Sequence, residues 1–108
     1  MAISSDMFRG HTETMILNIL MQGDSYGYEI TKQINEKSEG NYQIKDATIY
    51  TAFRRMEEEG LIETYWGDGF GGARRRYYRI TAKGRKYYKE KQEEWELLSR
   101  ILTNLISG

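Results

Sequence analysis

The chain has 108 residues, 39% of them hydrophobic and 30% charged, which fits one domain with a modest core. It lacks cysteine, so disulfides and thiolate chemistry are excluded, and no run of ~20 apolar residues predicts a membrane span. Sixteen basic residues balance 16 acidic ones, and the start of the chain lacks the pattern of a signal peptide, so we expect a cytoplasmic protein.

Apolar residues at helical spacing predict two helices at the start of the chain. The first helix spans Asp6–Gln22 and ends at Gly23. The second helix follows a cap at Asp24 or Ser25, because the side-chain oxygens of these residues accept hydrogen bonds from helical N–H groups. It runs to about Ser38, before a Gly-Asn pair that is typical of the join in a helix-turn-helix.

The third predicted helix carries the first candidate functional surface. It spans Ala47–Glu59 behind a cap at Asp46, and its inward side chains are spaced four and three residues apart. Hydroxyl and guanidinium groups on the opposite face suit contacts with phosphates and base edges in a DNA major groove, although an ordinary solvated helix face remains the alternative. The inward residues are Ile49, Phe53 and Met56, and the predicted DNA contacts are Thr48, Tyr50, Thr51 and Arg54.

After Gly60 the pattern changes to that of a β-hairpin. Leu61–Trp66 and Arg75–Ile80 are rich in β-formers and flank the glycine-rich turn Gly67–Gly72. Residues 74–91 hold nine basic side chains and one acidic one, and such a local positive field attracts phosphate. We predict that the arginines at the start of the outgoing strand contact a duplex backbone, the alternatives being a solvated basic segment or a solubilising edge strand. These residues are Arg74, Arg75 and Arg76.

A long last helix is predicted from Ala82 to about Ile106, with Thr81 as its cap. Apolar side chains on this helix recur in steps of three and four, as in the seam of a coiled coil, although two heptads are too few to prove one. Because one small domain cannot cover such a stripe, we predict a homodimer that buries it. The stripe comprises Trp95, Leu98, Ile101, Leu102 and Leu105.

Catalytic and metal-binding arrangements are missing from the sequence. His11 is the only histidine, so the sequence indicates neither a histidine-based catalytic triad nor a multi-histidine metal site. The acidic runs Glu57–Glu59 and Glu93–Glu94 are consecutive on helices, so their carboxylates do not face a common point. We therefore expect no enzyme, no metal and no cofactor.

The order of the elements predicts the fold class. Three helices, a hairpin and a long helix define a mainly α chain with a small β-hairpin, which is a winged helix-turn-helix with a long C-terminal dimerisation helix. We predict a DNA-binding segment at residues 1–81 and a dimerisation helix at residues 82–108.

Five strings of this sequence form a recognisable set at their spacing along the chain. They are Arg9–His11, Gly23–Ile30, Ala47–Tyr50, Met56–Ile62 and Gly71–Thr81. In these strings the sequence resembles the PadR family of transcriptional regulators, over essentially the whole chain and most closely its smaller subfamily. The resemblance implies a two-fold dimer in which the last helix packs with helix one of the partner, which adds Phe8 and Met15 to the predicted interface. It also implies that the third helix and the hairpin contact an operator.

The resemblance extends to a multidrug-sensing repressor of this family. There, the tryptophan that matches Trp95 pairs with its dimer mate and sandwiches flat aromatic compounds, which implies a ligand site at Trp95 with Asn18 and Ser99 as polar liners. If the two indoles instead pack together, Trp95 is only a dimer anchor. Ser99 stands where that repressor has an acid, so a cationic ligand is not carried over to this chain.

Taken together, the sequence predicts a dimeric regulator that binds a double-stranded DNA operator. A repressor released by a small aromatic effector at the dimer interface is the expected form. The alternative is a winged-helix module that binds only proteins, and the arginine run and the polar third helix favour DNA.

Overall fold

The computed structural model describes residues 4–107, without the side chains of Ser5 and Phe70. Residues 1–3 and 108, at the outer ends of the two predicted segments, lie outside the described residues. Between residues 4 and 107, no helix has both the length and the apolar character that crossing a membrane requires.

The described residues form four α-helices and one antiparallel two-stranded hairpin. A 3-10 turn at Ser5–Phe8 precedes the first helix, and another at Phe70–Gly72 joins the strands. The order of elements is that of a winged helix-turn-helix, which confirms the predicted fold class. The bounds are α1 Thr12–Leu20, α2 Gly27–Lys37, α3 Asp46–Glu58, β1 Ile62–Asp68, β2 Arg74–Ile80 and α4 Ala82–Ile106.

The hydrophobic core lies where α1, α2 and α3 meet the base of the hairpin. All three predicted inward residues of α3 are buried there, which confirms the helical period of this segment. Tyr87 and Tyr88 of α4 pack against the core and are themselves partly buried. The largest fully buried side chains are Phe53, Ile16, Leu17, Leu20, Ile30, Ile49, Met56 and Leu61.

Helix one is shorter than predicted. The expected single helix over Asp6–Gln22 is wrong, because α1 begins only at Thr12, after the separate 3-10 turn. Gly10 lies between them with a φ of 89°, a left-handed conformation that a right-handed helix cannot contain. Phe8 stacks on Tyr42, with ring centroids 4.1 Å apart, and so holds the turn against the link between α2 and α3.

The predicted cap of α2 is also wrong. Tyr26 precedes α2 and makes no capping side-chain hydrogen bond. Ser25 instead exchanges two backbone hydrogen bonds with Tyr78 of β2, at 3.2 and 2.8 Å. The carboxylate of Asp24 accepts a hydrogen bond from the Tyr65 hydroxyl. Both candidate caps are therefore engaged by the hairpin rather than by the helix.

Of the caps predicted for α3 and α4, the first is wrong and the second is confirmed. Asp46 is the first residue of α3 rather than its cap; Lys45 precedes the helix and makes no capping bond. Thr81 caps α4 as predicted, since its Oγ1 accepts a hydrogen bond from the Gly84 N–H at 3.0 Å.

The hairpin is longer than predicted and its turn is shorter. β1 continues to Asp68, and each strand has seven residues in antiparallel register. Trp66 pairs with Arg76, and Gly67 pairs with Arg75. Because successive side chains of a strand point to opposite faces, neighbouring arginines of β2 cannot share a face.

The end of α3 and the start of α4 are joined by a dense set of backbone contacts. Thr81 donates from Oγ1 to the Gly60 carbonyl at 2.7 Å and from its N–H to the Leu61 carbonyl at 3.0 Å. Lys83 Nζ donates to the Glu59 carbonyl at 2.7 Å. A Cβ added at Gly84 would lie only 2.1 Å from the Leu61 oxygen, so this approach requires glycine.

Gly84→Ala tests this junction. In an open helix the change stabilises by about 1 kcal/mol, because alanine is the better helix former. Here we expect the free energy of unfolding to fall by about 1–3 kcal/mol, since backbone must move away from the new Cβ. Urea denaturation measures the difference. Lys86→Ala, at an exposed position two residues further on, should stay within about 0.5 kcal/mol of wild type. A Gly84→Ala protein as stable as wild type would contradict the close approach.

Candidate nucleic-acid interface

The predicted contact residues of α3 lie together on its exposed face. Thr48, Tyr50, Thr51 and Arg54 are all exposed, on the side away from the core. The Tyr50 hydroxyl reaches the first residue of α2, where a Cβ on Gly27 would lie 2.8 Å from it. This contact fixes where α3 crosses the start of α2.

The hairpin of β1 and β2, which is the wing of this fold, shares one shallow groove with α3. It has a volume of about 550 Å³, and its walls include Tyr50, Thr51 and Arg54 from α3 together with Arg76 and Tyr78 from β2. The structure therefore brings Arg76 into the same surface as the candidate residues of α3.

A stacked aromatic pair fixes the relative position of α3 and the wing. Phe53 and Tyr78 stack with ring centroids 3.9 Å apart and planes 23° from parallel. Burial raises the pKa of Tyr78, so its phenol stays neutral across the physiological range. The aromatic pair between α3 and the wing is thus uncharged, and Glu57 is an acidic side chain in the lining of the same groove.

The three consecutive arginines lie on two faces of the hairpin. The Cζ atoms of Arg74 and Arg76 lie 5.3 and 5.7 Å from the ring centroid of Trp66. Arg75 points to the other face, where its guanidinium lies 3.9 Å from the ring centroid of Tyr26. Two guanidiniums therefore gather at Trp66, and the third lies over the residue that precedes α2.

An acidic side chain beneath α3 was missed by the sequence reasoning. Glu13 of α1 lies 3.9 Å from Arg55 Nη1 and accepts a 3.4 Å hydrogen bond from the Tyr87 hydroxyl. Burial, with a smaller contribution from Glu59, raises the pKa of Glu13. Arg55 is thereby drawn towards α1, which leaves Arg54 as the freer arginine of the α3 surface.

The apolar stripe of α4 is uncovered in the single chain. Trp95 and Leu105 are 49% and 74% exposed, and Leu98, Ile101 and Leu102 are 40–45% exposed. Phe8 and Met15, the two interface residues added by resemblance, are instead half-buried against the protomer's own core.

A groove of about 560 Å³ runs between the N-terminal turn, α1 and α4. Trp95 and Asn18 line it, whereas Ser99 does not in the part of the chain that the structure describes. The Asn18 side-chain oxygen accepts a 2.9 Å hydrogen bond from the Tyr88 hydroxyl. His11, another residue whose role the sequence did not indicate, meets Trp95 edge to face with ring centroids 5.4 Å apart.

Within residues 4–107, no group of three or more histidine, aspartate or glutamate side chains is arranged to hold a metal ion. The surface formed by α3 and the wing presents hydroxyls and guanidiniums, and the surface of α4 presents aromatic and aliphatic side chains. Both sets of side chains are suited to binding.

Fold and surface together define a winged-helix protein of the kind that regulates transcription. Residues 16–90 match the sequence model of the transcriptional regulator PadR-like family. The chain therefore belongs to the PadR-like family, which consists of transcriptional regulators and not of enzymes.

Two known proteins are similar to this chain along nearly its whole length, and a third shares its fold over a part. A protein of Lysinibacillus sphaericus is 40% identical over 106 residues, which cover 98% of this chain and 97% of the relative. A transcriptional regulator from Clostridium thermocellum has a similar structure, with a TM-score of 0.88, 50% identity and coverage of 97% and 99%. Bacillus subtilis PadR, solved in complex with operator DNA, has a TM-score of 0.67 at 22% identity, covering 75% of this chain and 47% of that one, which shows a shared fold.

Proposed function

We propose that this protein is a dimeric DNA-binding regulator that acts as a repressor at a double-stranded operator. The observation that carries the proposal is the groove shared by α3 and the wing, where Tyr50, Thr51 and Arg54 meet Arg76. A polar helix face beside a cationic strand is suited to a duplex, because the helix reaches base edges while the strand neutralises phosphates.

The residue roles follow from this arrangement. Hydroxyls and one guanidinium on α3 enter the major groove, and the arginines of β2 contact the backbone beside it. Bacillus subtilis PadR, which has the same fold, was solved in complex with operator DNA, so the fold is compatible with binding to an operator. The α3 residues are Thr48, Tyr50, Thr51 and Arg54, and the wing residues are Arg74, Arg75 and Arg76.

Dimerisation through α4 completes the proposal. Residues 82–108 are the proposed dimerisation segment; its helix, α4, spans Ala82–Ile106, and the exposed apolar stripe of α4 packs on α4 and α1 of a second copy. A two-fold axis buries the same stripe on both chains and presents two α3 helices to two half-sites. Three arginines on the wing beside the polar face of α3 favour DNA over the alternative, a module that binds only proteins. The protein acts in the cytoplasm, where the operator lies.

A small aromatic effector fits the groove beside Trp95. Its walls are largely apolar, and the edge contact with His11 holds the indole at the rim. Flat aromatic rings gain from stacking on an indole in addition to their burial. An effector held between α1 and α4 would act on DNA binding by favouring one spacing of the two α3 helices.

Removing wing arginines tests the DNA contact. We expect Arg74→Ala with Arg75→Ala to weaken binding to every duplex and to reduce the slope of log K against log salt by about 0.9 for each phosphate that is no longer neutralised. Fluorescence anisotropy with DNA from upstream of the protein's own gene, at several salt concentrations, measures both. Lys37→Ala with Arg100→Ala removes the same charge at exposed positions outside residues 74–91 and should leave the slope unchanged. Equal slopes for all three proteins would show that the wing does not touch the backbone.

Leu102→Glu tests the dimer. A charge in the centre of the stripe should convert the dimer to a monomer, because an unpaired carboxylate cannot be buried there. Sedimentation equilibrium at micromolar concentration measures the mass. Thr103→Glu places the same charge on the neighbouring exposed position and should remain dimeric. The proposal is refuted by a wild-type protein that sediments as a monomer.

The effector site is tested by tryptophan fluorescence. In Trp66→Phe, Trp95 is the sole indole, so saturable quenching by flat aromatic compounds reports on the groove. We expect micromolar affinity, which corresponds to about 8 kcal/mol of binding free energy. A still-dimeric Trp95→Ala should lose binding when it is followed by calorimetry. If no compound of a diverse panel quenches and Trp95→Ala dissociates, Trp95 is only a dimer anchor.

A further inference from the structure

Trp66 is a large aromatic residue exposed on the wing. It lies on β1 opposite Arg76 and is 55% exposed, although the hairpin offers buried positions to other aromatic side chains such as Tyr78. The guanidiniums of Arg74 and Arg76 both lie close to its ring. The core does not account for an indole at this position.

The surroundings of Trp66 select the kind of partner that could cover it. The Cζ atoms of Arg74 and Arg76 lie 5.3 and 5.7 Å from the ring centroid, and Arg76 Nε also donates to Thr64 Oγ1 at 2.9 Å. The acidic residue nearest to Trp66 in the strand register is Asp68, which pairs with Arg74. An apolar protein partner would have to bury two guanidiniums, whereas a polyanion would pair with them.

The indole also lies on the same side of the hairpin as the α3 groove. Residues 66, 76 and 78 share one strand face by alternation and pairing, and Arg76 and Tyr78 line the groove with Tyr50 and Arg54. A duplex seated on α3 would therefore run past the face of the wing that carries Trp66.

We propose that Trp66 is an aromatic DNA contact, which packs against sugars and base edges of the minor groove while Arg74 and Arg76 pair with the flanking phosphates. This inference rests on the DNA binding proposed above and assigns a contact to a residue outside that set. Minor-groove binders commonly combine cationic side chains with apolar side chains that enter the groove. The cation–π contacts with the indole also restrain both guanidiniums before DNA arrives, which lowers the entropy lost on binding.

The experiment uses the full chain with both tryptophans labelled as 5-fluorotryptophan. Two fluorine resonances are expected, and their assignment follows from the one that Trp66→Phe loses. A mixed-sequence duplex is titrated at low salt, with anisotropy of the labelled DNA reporting saturation. We expect the Trp66 resonance to move on binding and its shift between H₂O and D₂O to fall at least twofold, because the ring leaves solvent.

Affinity measurements on stable variants distinguish the loss of a ring contact with DNA from a loss of folding. Trp66→Leu should weaken binding about tenfold and Trp66→Phe by less, because phenylalanine retains an aromatic face. Both variants should keep the thermal midpoint of wild type, since position 66 is half exposed.

Three results would overturn the inference. If DNA saturates the protein while the Trp66 resonance keeps its position and its solvent shift, the wing binds without the indole and DNA binding itself stands. If the Trp66 resonance changes with protein concentration in the absence of DNA, a second copy covers the ring. If anisotropy shows no binding at all, the proposed function fails and the role of Trp66 fails with it.

Discussion

The stacked pair of Phe53 and Tyr78 joins α3 to the wing, and the geometry of the candidate interface depends on it. The rings lie 3.9 Å apart between centroids, one on α3 and one on β2. The backbone of Tyr78 also pairs with Ser25, just before α2. One residue of the wing therefore contacts both α3 and the segment just before α2, and the polar face of α3 and the arginines of β2 keep a fixed separation. A two-stranded hairpin alone would be marginal in water, so the wing depends on this packing for its own stability.

The arrangement of the molecule also depends on α4, which is anchored to the core at its start and uncovered at its end. Its first turn is held against the end of α3 by Thr81 and by the close approach at Gly84. Further along, Tyr87 and Tyr88 reach Glu13 and Asn18 of α1. Beyond them the helix carries its apolar stripe away from the core; its 25 residues correspond to about 37 Å. Because the same helix is fixed to α3 at one end and carries an uncovered apolar stripe at the other, the proposed dimer would couple the packing of the stripe to the position of α3.

Features that depend on the spacing of nearby residues could be predicted from the sequence. The inward face of α3, the Thr81 cap and the exposed stripe of α4 all follow from local spacing, and the structure has them. The break at Gly10 and the engagement of Ser25 by Tyr78 could not be predicted, because both depend on contacts between distant segments. The contact of His11 with Trp95 is of the same kind. The separation of Arg75 from Arg74 and Arg76 needed only the two-residue period of a strand, so this part of the site was predictable once the strand was assigned.

The central claim is that α3 and the wing act as one surface on a duplex, and methylation protection by dimethyl sulfate tests it in a single measurement. The reagent modifies guanine N7 in the major groove and adenine N3 in the minor groove. With the wild-type protein on DNA from upstream of its own gene, we predict two stretches of protected guanine about 10 base pairs apart, from the two α3 helices. Each should be flanked by protected adenine, from the wings. Protection of one groove alone by the bound protein would contradict the account.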